Sequence, residues 1–462
     1  MPLDEVPKTF TDAFDVSRRL GVRYIWIDAL CIIQDSPEDW ARESLTMRDV
    51  FEHSHCNIAA TSGQDGAAGC YSTRDPNALN PHPIPISCPN LNLDGLYYFL
   101  SRPEWDMGLE KAPLLRRAWV FQEILLAPRV LHFEKHQLVW ECNEGVAREQ
   151  CPTVEVPNRT ETTSNKPTLS SMLILRDTTK SLLAWYSILE RYTSCQLTFE
   201  TDRLVAMSGV ALKFANIFKG GYYAGLWVES FEYDLLWMIM GKGGVRSETS
   251  VAPSWSWASM KGGSDRLQIY HIRLLSPGYA EYHSLCIKVL SLSNFIPDLA
   301  SFGRVSKEMM TLNVRCYLLG LLHDRSWEFG LLKRPATGLV HEKCGAKQWR
   351  WFDEKVIGVP TRFLWFMPVI FQQDGEDSVL AGLILQFSEE DLCFRRVGCM
   401  KFDGLTDQVR EGFRHSHDIL SDIRKNGSAR REIMDCGPRE TEESGMEFKI
   451  CEDEHIHDIG IA

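Results

Sequence analysis

The chain has 462 residues, with 50 Lys and Arg against 62 Asp and Glu, a formal net charge of −12. At 44% hydrophobic and 24% charged, it has the composition of a folded protein of roughly three domains rather than of a disordered tail. The acidic balance argues against a general binder of nucleic acid or anionic membrane. The longest apolar run, Phe363–Phe371 broken by Pro368, is about half the ~20 residues needed to span a bilayer.

The opening residues, MPLDEVPKTF, carry neither the basic start nor the apolar core of a signal peptide, so a cytoplasmic protein with no membrane span is expected. Phe10, Ala13, Phe14 and Leu20 share a helical face, and Gly21 stands where a helix closes. Tyr24-Ile25-Trp26-Ile27-Asp28 is almost uniformly apolar, the pattern of a strand buried on both faces. Ser36-Pro37-Glu38-Asp39 reads as a helix start, with Ser as cap, Pro at the first position and acids in the first turn. Trp40, Ser44, Met47 and Phe51 give that helix its inner stripe. Cys56–Ala60 reads as a further strand, and helix, strand, helix, strand in this order predicts an α/β layer with a parallel sheet. Leu114 to Leu126 predicts a helix halted by Pro128, and Arg129–Phe133 with Leu138–Trp140 a hairpin.

Later segments differ in kind. Residues Cys151–Ser171 are rich in Pro, Thr, Ser and Asn and read as linker or long loop; the sequon at Asn158–Thr160 carries little weight in a chain of this type. A mainly helical, aromatic-rich stretch follows, with Tyr222–Trp227 and Ala252–Ser259 read as packing anchors. A mixed, strand-rich region comes next, and the charged tail from about Asp422 to Ala462 is expected to be poorly ordered.

Polar groups at the carboxyl ends of parallel strands face a ligand crevice. Asp28 would sit at such an end, with Cys31, Gln34 and Asp35 just beyond, Arg42 and Glu43 on the next helix, and Arg117, Gln122 and Glu123 on a later one. Carboxylates grouped with amides and a guanidinium suit a ribose hydroxyl or the polarisation of a glycosidic bond. The same residues equally suit capping and mutual pairing across the domain. Cys31 is a possible nucleophile only where the fold brings His53, His55 or His132 to it; otherwise it is a strand-end thiol. The 14 Cys form no CxxC pair, which fits reduced, mostly buried thiols. The pairs His53/His55, His415/His417 and His455/His457 lack further ligands at metal-binding spacing, so no metal is expected. Gly63, Gly66 and Gly69 do not make a phosphate-binding order.

Taken together, several ordered blocks resemble the fungal heterokaryon incompatibility (HET) domain family. They are Arg23–Asp35 (RYIWIDALCIIQD), Trp40, Glu43 and Met47, Ala59–Gly63, Arg117–Glu123 (RAWVFQE), Pro128-Arg129 and Trp140-Glu141-Cys142. Thr201–Leu204, Ala224–Trp227 and Ala252–Ser259 look like segments that often follow the domain. The resemblance implies a HET domain over 1–145, a linker over 146–171, a helical, aromatic-rich extension over 172–262, a mixed or β-rich region over 263–420 and a charged tail over 421–462. It also implies an N-terminal TIR-like/flavodoxin-like parallel sheet with helices, here without the family's upstream Leu-Ser-Tyr-x-Trp-Gly block and so without its first strand, followed by a helical and mixed α+β C-terminal region.

The function implied is fungal nonself recognition and programmed cell death, through a protein partner or self-association. The remote likeness to TIR domains, some of which cleave NAD through a glutamate, makes Glu43 and Glu123 candidate catalytic residues. It makes Asp28, Cys31, Gln34, Asp35, Arg117, Trp119 and Gln122 candidate ligand contacts. No cofactor is implied with certainty; NAD would enter as substrate.

Overall fold

Lys8–Arg19 forms α1, with Arg18 and Arg19 in the last turn, where their charge complements the helix dipole. The computed structural model describes residues 5–74, 82–88, 90, 93–99, 112–149, 151–155, 177–218, 221–240, 244–247, 251–262, 267–272, 282–292, 311–323, 329–333, 340–342, 347–353, 364–388, 393–405 and 456–461. The chain divides into two units, Met1–Ile217 and Phe218–Ala462. The sequon at 158–160, most of the expected linker, the His415/His417 pair and most of the charged tail lie outside the described residues.

In the first unit α1 buries Ala13, Val16 and Ser17, while Leu20 stays exposed beyond the last turn. Tyr24–Ile27 is not a strand. It runs to the short helix α2 (Asp28–Cys31) without a sheet partner, and Tyr24 is 79% exposed. Its apolar pattern marks a segment able to pair, but pattern alone supplies no neighbour. Asp28 therefore opens a helix rather than ending a strand. Next comes α3 (Pro37–Glu52), built as its start signals require: Ser36 accepts from the Asp39 N–H and Pro37 sits in the first turn. The segment 114–126 splits into a single 3-10 turn, Leu114–Arg116, and α4 (Ala118–Leu126). The break falls at Arg117, whose backbone is extended and flanked by hydrogen bonds between Ala118 N and Gln196 O and between Gln196 N and Arg116 O. Thr178–Thr193 (α5), capped by Asp177, and Val205–Phe214 (α6) follow in this unit.

Its sheet runs β1 (Asn57–Ala59), β4 (Arg129–Phe133), β5 (Leu138–Cys142), β6 (Val146–Arg148) and β7 (Cys151–Glu155) in spatial order. Only β1 and β4 are parallel; every later pair is antiparallel. The parallel pairing expected of this layer is thus present at β1 and β4, the hairpin expected over 129–140 forms beside it, and the rest of the sheet is antiparallel for a physical reason. The connection from β1 to β4 is long and includes α4, but the later strands are joined by loops of a few residues, which permit only hairpins. The sheet also runs past residue 145, so Val146–Glu155 at the start of the expected linker is largely strand. A separate hairpin, β2 (His82–Cys88) with β3 (Leu93–Phe99), pairs only with itself among the described residues.

The second unit begins with a tight hairpin, β8 (Tyr222–Tyr223) and β9 (Leu226–Trp227), then α7 (Phe231–Asp234). Two small ribbons pair β10 (Trp237–Ile239) with β13 (Ile269–His271) and β11 (Gly244–Arg246) with β12 (Met260–Gly262). The main sheet runs β15 (Ile287–Leu292), β16 (Leu312–Tyr317), β24 (Ile456–Ile461), β23 (Cys393–Asp403), β22 (Asp377–Ser388), β21 (Leu364–Asp374), β17 (Leu319–His323), β18 (Phe329–Lys333) and β19 (Val340–Glu342). Alongside, β14 (Tyr282–Leu285) pairs with β21 and β20 (Lys347–Phe352) with β23. The last residues of the tail are thus a strand, with Ile459 and Ile461 buried between β16 and β23. Phe366, Phe371, Leu380, Ile384, Met400 and Phe402 form its apolar core.

Trp255 and Trp257 are fully buried anchors, as their sequence context implies. The Trp257 indole N–H donates to Gly225 O at 2.8 Å, and Ser256 donates to Ala224 O. Both turn residues have positive φ, 47° at Ala224 and 96° at Gly225, and a Cβ on Gly225 would stand 2.6 Å from the Trp257 nitrogen. Deeper in the unit, Arg396 and Asp353 are 0% and 1% exposed and joined by two bonds at 3.1 and 3.2 Å. The Arg396 guanidinium lies 3.4 Å from the Trp237 ring centre and donates to the Leu235 and Trp237 carbonyls, and Arg246 reaches the same carboxylate at 3.1 Å. Burial, reinforced by the Arg396 charge, pushes His271 down to about 3 and keeps it neutral.

Ala224 carries a left-handed strain that glycine avoids, so Ala224→Gly is expected to stabilise the second unit by about 0.5–1 kcal/mol, measured as a raised urea midpoint. Asp353→Asn leaves two guanidinium groups without their shared counter-charge. It is expected to lower stability by about 3–5 kcal/mol in the same measurement.

Candidate functional site

The candidate residues are set by α2, α3 and α4 in the first unit. Helix α4 buries Ala118, Val120, Gln122, Leu125 and Leu126 and packs against α3 and α6. A Cβ on Gly209 of α6 would lie 2.8 Å from Gln122 Oε1, 3.0 Å from Leu126 Cδ1 and 3.2 Å from Arg48 Cβ, so the three helices close on a glycine. Gln122 belongs to that interface. It is 2% exposed, and its Oε1 has no hydrogen-bond partner among the described residues. Trp119 is also engaged in the fold: its indole N–H donates to Asp202 at 3.1 Å, and its ring meets Trp40 edge-on with centres 6.3 Å apart. Burial pushes the Asp202 carboxyl up, against the pull of that hydrogen bond.

Glu123 lies on another side of α4. Its backbone carbonyl accepts from Asn57 Nδ2 at 3.3 Å, which ties the helix to β1. Desolvation of its carboxyl is the main effect on its acidity. The Asp28 carboxylate adds to it, the Arg117 guanidinium opposes it, and together they push Glu123 up to about 7. The residue as a whole retains some surface, while its acid group is shielded from water. Asp28 and Arg117, both singled out from sequence, are thus within electrostatic reach of Glu123.

The remaining candidates are arranged differently. Asp28 Oδ1 accepts from the Ala29 N–H at 2.8 Å, and Gln34 donates to the Asp28 and Ile32 carbonyls at 3.3 and 2.9 Å. Gln34 therefore braces the loop after α2. Asp35 and Cys31 are exposed. Of the histidines considered for Cys31, His53 Nδ1 lies 2.9 Å from Asp49 O, and His132 is engaged by Thr61 and Glu141. Glu43 is held by Arg42 at 3.3 Å and Thr46 at 3.5 Å, away from any described contact with Glu123. Asp39, not singled out from sequence beyond its place in the first turn, is 5% exposed. It accepts from the Ile33 N–H at 2.8 Å and pairs with Arg42, so it holds the 32–36 loop against α3. Asn57 was equally hidden, because its role rests on a partner 66 positions away.

A carboxyl that titrates near neutrality, flanked by a carboxylate and a guanidinium, can give or take a proton where a fully ionised glutamate cannot. The sign of the linkage follows from the upward shift. The fold favours the neutral acid, so this contribution to stability is complete below the ordinary 4.5 and is lost as pH rises through about 7. Glu123→Gln is expected to remove that loss. The variant should gain about 2 kcal/mol on wild type between pH 5 and pH 8, a figure reduced for partial exposure, read from urea midpoints at the two pH values.

Among known proteins, residues 1–123 match the family model described as Heterokaryon incompatibility protein (HET). No curated protein and no solved structure matches the chain. The match spans α1, the Tyr24–Asp35 segment, α3 and β1, and it ends within α4 at Glu123. The segment that assembles Asp28, Arg117 and Glu123 is accordingly a domain of the heterokaryon incompatibility family.

Proposed function

We propose that the chain is a heterokaryon-incompatibility effector, a cytoplasmic protein whose HET domain arrests growth or kills the cell when incompatible hyphae fuse. The family match over residues 1–123 carries this reading. Control by a protein partner or by self-association is in keeping with the exposed apolar side chains of Tyr24, Leu30 and Ile33 beside the candidate site. Among the described residues no helix is long and apolar enough to cross a membrane. Induced expression of the chain in a filamentous fungus is expected to stop growth and reduce viability within hours. Normal growth at verified protein level would count against the proposal.

One observation favours a second reading, cleavage of the nicotinamide glycosidic bond of NAD, and that is the upward shift of Glu123 beside Asp28 and Arg117. In such a reaction the ionised Glu123 takes a proton from water as its oxygen bonds to the ribose anomeric carbon. The bond to nicotinamide breaks, and its electron pair leaves with the neutral ring. Asp28 would hold a ribose hydroxyl. Nicotinamide release from purified chain is expected to fall about 100-fold or more in Glu123→Gln. Glu43→Gln, altered at a residue already held by Arg42 and Thr46, is expected to stay close to wild type. A flat time course in wild type removes this second reading and leaves the first standing.

A further inference from the structure

A second polar cluster in the first unit uses none of the residues of the Glu123 site. Thr61, His132 and Glu141 are 0%, 1% and 6% exposed. The sheet register brings them together. His132 on β4 stands beside Ala59 of β1, with Thr61 two residues further on, and opposite Val139 of β5, with Glu141 two residues further on the same face. His132 Nδ1 is 3.1 Å from Thr61 Oγ1, and Nε2 is 3.0 Å from Glu141 Oε2. Thr61 Oγ1 also lies 3.2 Å from the Ala59 carbonyl oxygen.

A carboxylate only accepts, so Nε2 carries a hydrogen, and the state of Nδ1 is left to its threonine partner. We infer that Thr61, His132 and Glu141 form a buried proton switch with two fully hydrogen-bonded states. In the first the imidazole is neutral and the Thr61 hydroxyl donates to Nδ1. In the second a proton from solvent sits on Nδ1, the N–H donates to Thr61 Oγ1, and the hydroxyl hydrogen turns to the Ala59 carbonyl. No bond between heavy atoms changes, and rotation of one hydroxyl completes the exchange. The imidazolium then faces Glu141, so the added charge is buried with a counter-charge.

The charged groups around the ring set its surroundings. Glu134, just past β4, is pushed up by burial, with the charges of His132 and His136 pulling the other way. Arg148 of β6 stands opposite Val139 on the same face of the sheet. The loop that begins at Thr61 is bound to the same strand end: Ser62 N and Oγ donate to Phe133 O at 3.2 Å, and Ser72 Oγ donates to Lys135 O at 3.0 Å. Protonation of His132 would turn its bond to Thr61, at the root of this loop, into a charge-assisted one, so that this tie between loop and sheet would depend on acidity.

The full chain, labelled with ¹⁵N-histidine, tests this by NMR from about pH 8 to about pH 5, with His132 assigned by loss of its signals in His132→Gln. Expected is an Nε2–H tautomer at the upper pH and a second proton on Nδ1 at the lower pH, while the amide spectrum stays native. Thr61→Val, which removes the acceptor at nearly constant shape, is expected to lose that uptake before unfolding, and Thr61→Ser to keep it. An Nδ1–H tautomer at high pH, a ring that stays neutral until unfolding, or unchanged behaviour in Thr61→Val would each overturn the switch. The tautomer of wild type decides the question even where Thr61→Val does not fold.

Discussion

The first unit depends on how helix α4 is seated. Nine residues supply five buried side chains, and the space for them exists because α6 presents Gly209 where any larger residue would strike Gln122 and Leu126. Seated in this way, the helix cannot turn to expose Glu123 more fully, and its carbonyl is tied to Asn57 of β1. The shielding that raises the glutamate is therefore a by-product of core packing, while Asp28 and Arg117 tune it with opposite signs. Energy that stabilises the unit through buried apolar area is partly offset by the cost of an acid held out of water. Such a conflict between local comfort and global fit is the usual mark of a functional position.

How much of this could be read in advance depended on the range of the signal. Ser36-Pro37 marked the start of α3, Pro128 the end of α4, and the alternation in 129–142 the hairpin, because each acts through neighbours a few residues away. Tyr24–Ile27 failed on the same logic. Its side chains specify a segment that wants burial, but the ladder that would provide it is a non-local matter. The site was only partly visible. Asp28 and Arg117 do share an electrostatic neighbourhood with Glu123, whereas Gln122 is buried against Gly209 and Trp119 spends its N–H on Asp202. Helical spacing placed them on α4 but not which face met α6.

The second unit makes the same point with a charged residue. Its tryptophans announced a packed core by composition alone, but nothing in the local sequence marks Arg396 as the residue that would lie fully buried against Trp237. Its partner Asp353 is 43 positions away, and the carbonyls it bonds belong to residues more than 150 positions away. A guanidinium satisfied on every side in this manner fixes register across strands distant in sequence, at a desolvation cost that apolar residues would not incur. The C-terminal strand obeys similar non-local logic: six residues at the end of a charged segment enter the sheet because isoleucine alternation meets an open place between β16 and β23.

Within the first unit, strand β1 and the residues just after it connect the two titrating centres. Asn57 at its start holds the carbonyl of Glu123, and Thr61, two residues past its end, bonds the ring of His132. The strand is short and parallel to β4, with a ladder of only three residues. The two centres differ in their surroundings: protonation of Glu123 sheds a buried negative charge, whereas the proton proposed for His132 would be placed beside Glu141. With its carboxyl raised to about 7, Glu123 holds its proton in mild acid and gives it up above neutrality, so whether it acts as acid or base turns on pH within the range a living cell spans.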